Sequence, residues 1–361
     1  MKSNNSRLTE LDGLRGLAAL SVFGSHVFGL IPHNESLLAP HNPLRLFWDG
    51  HAAVMLFFVL SGFVLSIRFV QKNQPLEPVG FIIKRIARLY PAYWCALAIA
   101  IALRHFTLLH NHLSLLSPWA ASLWCVPLDL DGVIRHFFMI SPGLNNSQID
   151  PVIWSLVREM KISLIFPAII FIVRRTPRWF YAATVLAIVV LLGFRLNFME
   201  SVPLFVAGSY LAKYTEVQAW SSRIPEKFKL ALLPVALLFY GTGSICGQPS
   251  IATEYSAGVG SVILIVLFAT SAPLKRFATS APVHLLGEVS YSFYLVHLPI
   301  LLAVSSALYP HVHSVVLCSI VALLISIAIS KVLFQFIEVP TQQCGKWIVL
   351  RLPRRIEMPI G

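Results

Sequence analysis

The first apolar run of the chain, Leu14 to Ile31, carries an arginine at its mouth, Arg15, and a histidine eleven residues further on, His26. On a helix that interval rises about 16 Å and makes three turns plus roughly 20°, so the two side chains share one face at different depths. A polar side chain within hydrocarbon is costly and is by default functional. Burial disfavours the imidazolium, so His26 is expected to be neutral, and a neutral ring can accept a proton or act as a nucleophile. Two further groups reach the same layer: His297, about 20 Å into an outward-running span, and Glu159, about 10 Å below the outer start of another. Glu159 could orient His26 as a carboxylate orients a catalytic base, or pair with Arg158 or Lys161 on its own helix. The alternative for all three is an interhelical hydrogen-bond cluster, and for His297 a satisfied packing histidine.

The elements that must hold these groups are helices in lipid. The chain has 361 residues, of which 57% are hydrophobic and 12% charged, and its mean hydropathy is +0.73. These values describe an all-α polytopic membrane protein. Ten stretches can cross a core of roughly 30 Å: 14–31, 51–70, 90–109, 152–174, 179–196, 198–214, 228–246, 250–270, 284–308 and 312–337. Lys and Arg collect in alternate connections, with Lys84, Arg85, Arg88, Arg174, Arg175 and Lys213 on one side, against Arg45, Arg135 and Arg195 on the other. Cytoplasmic loops carry that excess, so both termini are expected inside, as short tails of about 1–13 and 341–361 on a single transmembrane domain covering 1–361. The net charge of +12 is then topology and implies no nucleic-acid partner. The first run is longer than a signal-peptide core and lacks a small-residue cleavage pattern, so it is expected to be retained.

The longest connection, 110–151, is expected to be re-entrant or to lie on the surface, and its Trp119, Trp124, Asp129, Asp131 and Asp150 would form an amphipathic outer lip. Such a lip suits a polar ligand, although interfacial tryptophans also serve as anchors. The five cysteines show no metal spacing. Cys125 and Cys246 share the expected outer face, where a disulfide would need an oxidising compartment; we expect none. His110 with His112 and His311 with His313 read as solvated interfacial residues, and no metal is expected. Ser61, before Gly62, reads as a close-packing point before a nucleophile.

Several motifs together resemble the acyltransferase-3 family of membrane sugar O-acyltransferases. Leu11-Asp12-Gly13-Leu14-Arg15-Gly16-Leu17-Ala18-Ala19 leading to His26 resembles the family's opening, with its Arg, ten residues, His pattern. Phe57-Phe58-Val59-Leu60-Ser61-Gly62-Phe63, Arg85-Ile86-Ala87-Arg88-Leu89-Tyr90-Pro91 and Trp154-Ser155-Leu156 to Glu159 follow in order. Ser290-Tyr291-Ser292-Phe293-Tyr294-Leu295-Val296-His297 and Glu338-Val339-Pro340 are similar to the closing motifs. The chain departs from the commonest pattern at Ala52 and Ala53, where many members carry Gly and Asp. Some members also carry a carboxy-terminal periplasmic hydrolase-like domain, for which the residues after the tenth span leave no room.

The resemblance implies transfer of an acyl group, typically acetyl, from cytoplasmic acyl-CoA to a carbohydrate hydroxyl on the other side of a bacterial inner membrane. The acceptor would be free or lipid-linked. His26 would act as general base or as acyl carrier, with Glu159 beside it and Asp12, Ser155, Tyr294 and His297 in support. Arg15, Arg85 and Arg88 could grip the phosphates of coenzyme A, or equally anchor to anionic lipid headgroups. The pantetheine arm is about as long as the rise from Arg15 to His26, so a nucleotide held at Arg15 would deliver its thioester near His26. A proton-coupled secondary transporter using His26, Glu159 and His297 is the alternative, but no second copy of the Arg15–His26 pattern supplies paired halves. A non-catalytic sensor would not need cations and a proton acceptor at that interval. The acceptor sugar, acyl length and oligomeric state are left open.

Overall fold

Apolar runs in a chain whose polar backbone must be satisfied internally form helices, and helices are what a computed structural model shows. It describes residues 8–31, 43–110, 112–139, 146–177, 199–247 and 250–352, with no strand among them. The described helices are α1 (Thr9–Leu30), α2 (Gly50–Val70), α3 (Pro78–His110), α4 (Pro118–Ser122), α5 (Leu130–Phe137), α6 (Ile153–Arg175), α7 (Val202–Lys213), α8 (Thr215–Arg223), α9 (Glu226–Tyr240), α10 (Thr242–Cys246), α11 (Ile251–Thr270), α12 (Ala272–Ala278), α13 (Ala281–Val312), α14 (Val315–Leu333) and α15 (Val339–Arg351). Among the described residues, six helical stretches are long and apolar enough to cross a membrane: Thr9–Leu30, Gly50–Val70, Pro78–Leu109, Ile251–Thr270, Ala281–Val312 and Val315–Arg351.

Four expected boundaries move. The third helix begins at Pro78 instead of residue 90, so Arg85 and Arg88 lie within a helix and not in a loop. The seventh stretch is divided at Gly241, between α9 and α10, leaving α9 with 15 residues. Among the described residues of the sixth stretch the α-helix covers only Val202–Lys213, with 12 residues, after a 3-10 turn at Met199–Ser201. The tenth does not end near 337: α14 passes through a π-helical turn, Phe334–Glu338, directly into α15, so the segment expected as a tail from 341 is helical to Arg351. The stretch 179–196 lies outside the described residues.

Contacts divide the chain into two compact units. The first comprises residues 1–22, 39–71 and 173–290. Its centre is the pair α2 and α7, which approach through glycines on both sides: a Cβ on Gly62 would meet the backbone of Phe205, and one on Gly208 the backbone of Val59 and Phe63. Ser66 Oγ donates to Ser209 Oγ at 2.8 Å beside this contact. Gly62→Val should therefore destabilise by on the order of 1–3 kcal/mol, because backbone cannot step aside as a side chain can. Gly243→Ala, whose nearest foreign atom would lie at 3.7 Å, should change stability by less than about 0.5 kcal/mol. Thermal unfolding of the two purified variants makes the comparison.

Cations in this unit close helix ends. Lys213 Nζ donates to the carbonyls of Val173 (2.6 Å), Arg174 (3.2 Å) and Thr176 (2.7 Å) at the end of α6. Arg174 Nε donates to Phe69 O near the end of α2 at 3.1 Å. The last carbonyls of a helix lack intrahelical partners and carry partial negative charge, so both contacts are favourable.

The second unit comprises residues 23–38, 72–172 and 291–361. Its spine is α3, with 33 residues. The long connection runs back beside it. Arg104 donates to the carbonyls of Trp124 and Val126 at 3.2 and 2.7 Å; further down, Tyr93 Oη donates to His136 O at 2.5 Å. Trp94 Nε1 donates to Phe137 O at 3.1 Å, and the two rings stack at 4.7 Å. Residues later in the connection thus meet earlier positions on α3, over a drop of about 16 Å. Nearer the start of α3, Gly345 of α15 lets that helix close on α3, where a Cβ would lie 2.5 Å from that of Ala87.

Candidate active site

His26 lies in the last part of α1, within the second unit, and has two rings beside it. Trp119 is parallel to it, with centroids 5.6 Å apart and planes 6° apart; His297 is on it at 5.4 Å and 27°. The tryptophan is held there by local sequence. Ser117 accepts the N–H of Ala120 at 3.1 Å and donates to Gly29 O at 2.5 Å, so the residue that caps α4 also ties it to α1. Pro118 then opens the helix at the position where a missing N–H costs nothing. Trp119 packs over Gly29, where a Cβ would lie 2.8 Å from Cε3.

His297 is fully buried, and its Nδ1 sits 2.8 Å from Tyr294 O and 3.1 Å from Phe293 O. Tyr294 Oη, on the same helix, lies 2.8 Å from Ser155 Oγ and 3.2 Å from Val152 O, while Ser155 Oγ also donates to Val152 O at 3.2 Å. The four expected residues Ser155, Tyr294, His297 and His26 are thus brought into one chain of neighbours, the rings of Tyr294 and His297 being 5.8 Å apart.

The turn leading into α6 adds a buried carboxyl. Asp150 is 3% exposed, its Oδ1 accepts the N–H of Val152 at 3.3 Å, and burial pushes it up to about 8. A carboxyl raised in the fold stabilises it fully below the unfolded value of about 4 and loses that contribution as pH climbs through the folded value. The thermal unfolding temperature should accordingly fall between pH 6 and 9. Asp150→Asn should flatten that dependence; an equal fall in the variant would show that other groups cause it.

Glu159 and Arg85 are found together. Arg85 Nη2 donates to Glu159 Oε1 at 2.6 Å and Nε to Ser163 Oγ at 3.1 Å, with the arginine only 5% exposed. The sequence pointed Glu159 toward His26, Arg158 or Lys161 and Arg85 toward phosphate. The pairing with Arg85 was not foreseen because α3 was expected to begin after it. Arg88, one turn along α3, is half-buried. In the first unit, Arg15 pairs with Asp12 at 3.5 Å, and Gly16 and Gly287 let α1 and α13 approach so closely that a Cβ on either would meet the other's backbone.

Three further residues stand out. Trp119 was read only as part of a lip, although the Ser117-Pro118 helix start was available as a signal. Glu338, fully interior in the π-helical turn, accepts the Ser292 N–H at 3.2 Å and the Ser292 hydroxyl; the sequence offered it only as part of the closing Glu338-Val339-Pro340 motif, with no role attached. Asp150 became notable only through burial. Cys125 and Cys246 are both free thiols.

The family model described as an acyltransferase domain matches residues 8–331. The chain is 27% identical to acyltransferase MdmB of Streptomyces mycarofaciens, over 81% of this chain and 78% of the relative. It is 29% identical to exopolysaccharide production protein ExoZ of Rhizobium meliloti, over 70% of this chain and 76% of the relative. With O-acetyltransferase OatA of Staphylococcus aureus it shares 23% identity over 96% of its own length but only 59% of the relative's. No solved structure matches the chain significantly.

Proposed function

Because the chain belongs to the acyltransferase-3 family and is a multi-pass membrane O-acyltransferase, we propose that it moves an acetyl group from cytoplasmic acetyl-CoA to a carbohydrate hydroxyl across a bacterial inner membrane. The relatives support the transferred group and the acceptor class, one being named an O-acetyltransferase and one an exopolysaccharide production protein. The observation that carries the reading is the imidazole of His26 beside the rings of Trp119 and His297. Two aromatic neighbours restrict the orientations open to the ring, and prior orientation is one way a barrier is lowered.

His26 either takes the acceptor proton in a direct transfer or carries the acyl group as an acyl-imidazole. Arg88 and Arg85 supply positive charge in the second unit for the coenzyme A phosphates, and Glu159 holds Arg85 in place. Arg15 keeps its phosphate assignment on the helical interval alone, about 16 Å from His26 along the axis of α1. The lipid-headgroup role remains compatible with each of these arginines. Purified full-length protein in lipid nanodiscs should release free CoA thiol from acetyl-CoA, and Arg88→Ala should raise the KM for acetyl-CoA. Absence of thiol release by the wild type, with or without a carbohydrate extract, overturns the assignment.

A further inference from the structure

His297 has a fixed tautomer. Its Nδ1 faces two backbone carbonyl oxygens, those of Tyr294 and Phe293, and a carbonyl oxygen can only accept. Nδ1 therefore carries the proton, and Nε2 presents a lone pair. That atom is buried and meets no hydrogen-bond partner among the described residues. A buried acceptor without a donor costs free energy; Nε2 of His136 is in the same state, but it is His297 that has the ring of His26 beside it. Of the rings around it, Phe23 and Phe293 are apolar and Tyr294 has its hydroxyl engaged with Ser155; the fourth is His26.

We propose that Nε2 of His297 receives the proton of the acceptor hydroxyl, leaving His26 to handle the acyl group. This inference rests on the acyltransferase reading and divides its two chemical tasks between two rings. The acceptor oxygen bonds to the acyl carbon as its O–H bond breaks and the proton passes to Nε2. The bond from the acyl carbon to the His26 nitrogen that carries it then breaks with its electron pair. The proton leaves His297 for that nitrogen, and both rings return to their starting tautomers. Two backbone acceptors for the Nδ1 proton fit this cycle, since they also stabilise the transient imidazolium.

The test separates attack by a hydroxyl from attack by an amine. Hydroxylamine attacks an acyl group through an uncharged nitrogen lone pair and needs no base to remove a proton first. Full-length protein in nanodiscs is given acetyl-CoA with hydroxylamine, and CoA release is followed. In parallel, a strain lacking the gene is complemented with each variant, and base-labile acetyl on envelope carbohydrate is measured per membrane-inserted protein. His297→Ala should lower carbohydrate acetylation by about 10²–10⁴-fold while hydroxylamine-dependent CoA release stays within a few-fold of wild type. His297→Gln, which keeps the bulk and a hydrogen-bond acceptor but cannot hold the proton, should show the same split and guards against collapse of the alanine variant. Equal losses in both assays, or a glutamine variant with wild-type acetylation, overturn the inference. A wild type inert in both assays overturns the acyltransferase assignment itself.

Discussion

His26→Ala is expected to reduce acetyl-CoA turnover by about 10⁴-fold, the loss that follows removal of a group acting in proton transfer or as acyl carrier. The ring is not placed to be structurally indispensable. It is partly exposed, and its contacts are faces of Trp119 and His297, so truncation leaves Trp119 still tied to α1 through Ser117 and Gly29. The unfolding temperature should move by only a few degrees, and the KM for acetyl-CoA should change far less than kcat, the signature of an interaction made in the transition state. Radiolabelled acetyl-CoA without acceptor distinguishes the two routes, because an acyl-imidazole leaves label on wild-type protein and none on the alanine variant. A variant retaining a tenth of wild-type turnover would show that the reaction is centred elsewhere.

Glu159→Ala should cost about 3–5 kcal/mol of stability, because it strands a buried guanidinium. Arg85 is 5% exposed, and its remaining partner, the Ser163 hydroxyl, is neutral. Glu159→Gln keeps an oxygen at the same position and should cost less. Arg85→Met combined with Glu159→Leu should recover much of the loss, since a buried ion pair is often replaceable by apolar groups of similar volume, yet remain inactive if either charge serves coenzyme A. The cycle of two single variants and the double, followed by thermal unfolding in nanodiscs, gives the coupling directly. Near-neutral single variants would mean that the pair is solvated.

The helical class and the family were legible from apolar periodicity and six ordered motifs, because lipid leaves few other ways to satisfy a backbone. His26 and His297 were legible as candidates for the same reason, since polar groups within apolar runs are conspicuous; Ser155 and Tyr294 were offered only by the motifs that resemble the family's. Their partners were harder to read. Arg85 looked like a loop cation because Pro78 to Leu89 is too polar to register as a span, although it continues α3 as one helix. The stacking of Trp119 on His26 depends on the connection returning beside α3, which Tyr93, Trp94 and Arg104 enforce. Such long-range hydrogen bonds to carbonyls leave no periodic trace.

The π-helical turn at Phe334–Glu338 sets the angular phase of everything after it. One residue more per turn rotates the downstream helix by about 100° relative to an unbroken α-helix. Pro340 follows at once and offers no N–H for restoring the tighter spacing. The orientation that brings Gly345 against Ala87 is therefore decided upstream, at the turn where Glu338 receives Ser292. Deleting a single residue there would swing a bulky neighbour of Gly345 onto α3 and unseat the C-terminal helix without altering any residue of the interface.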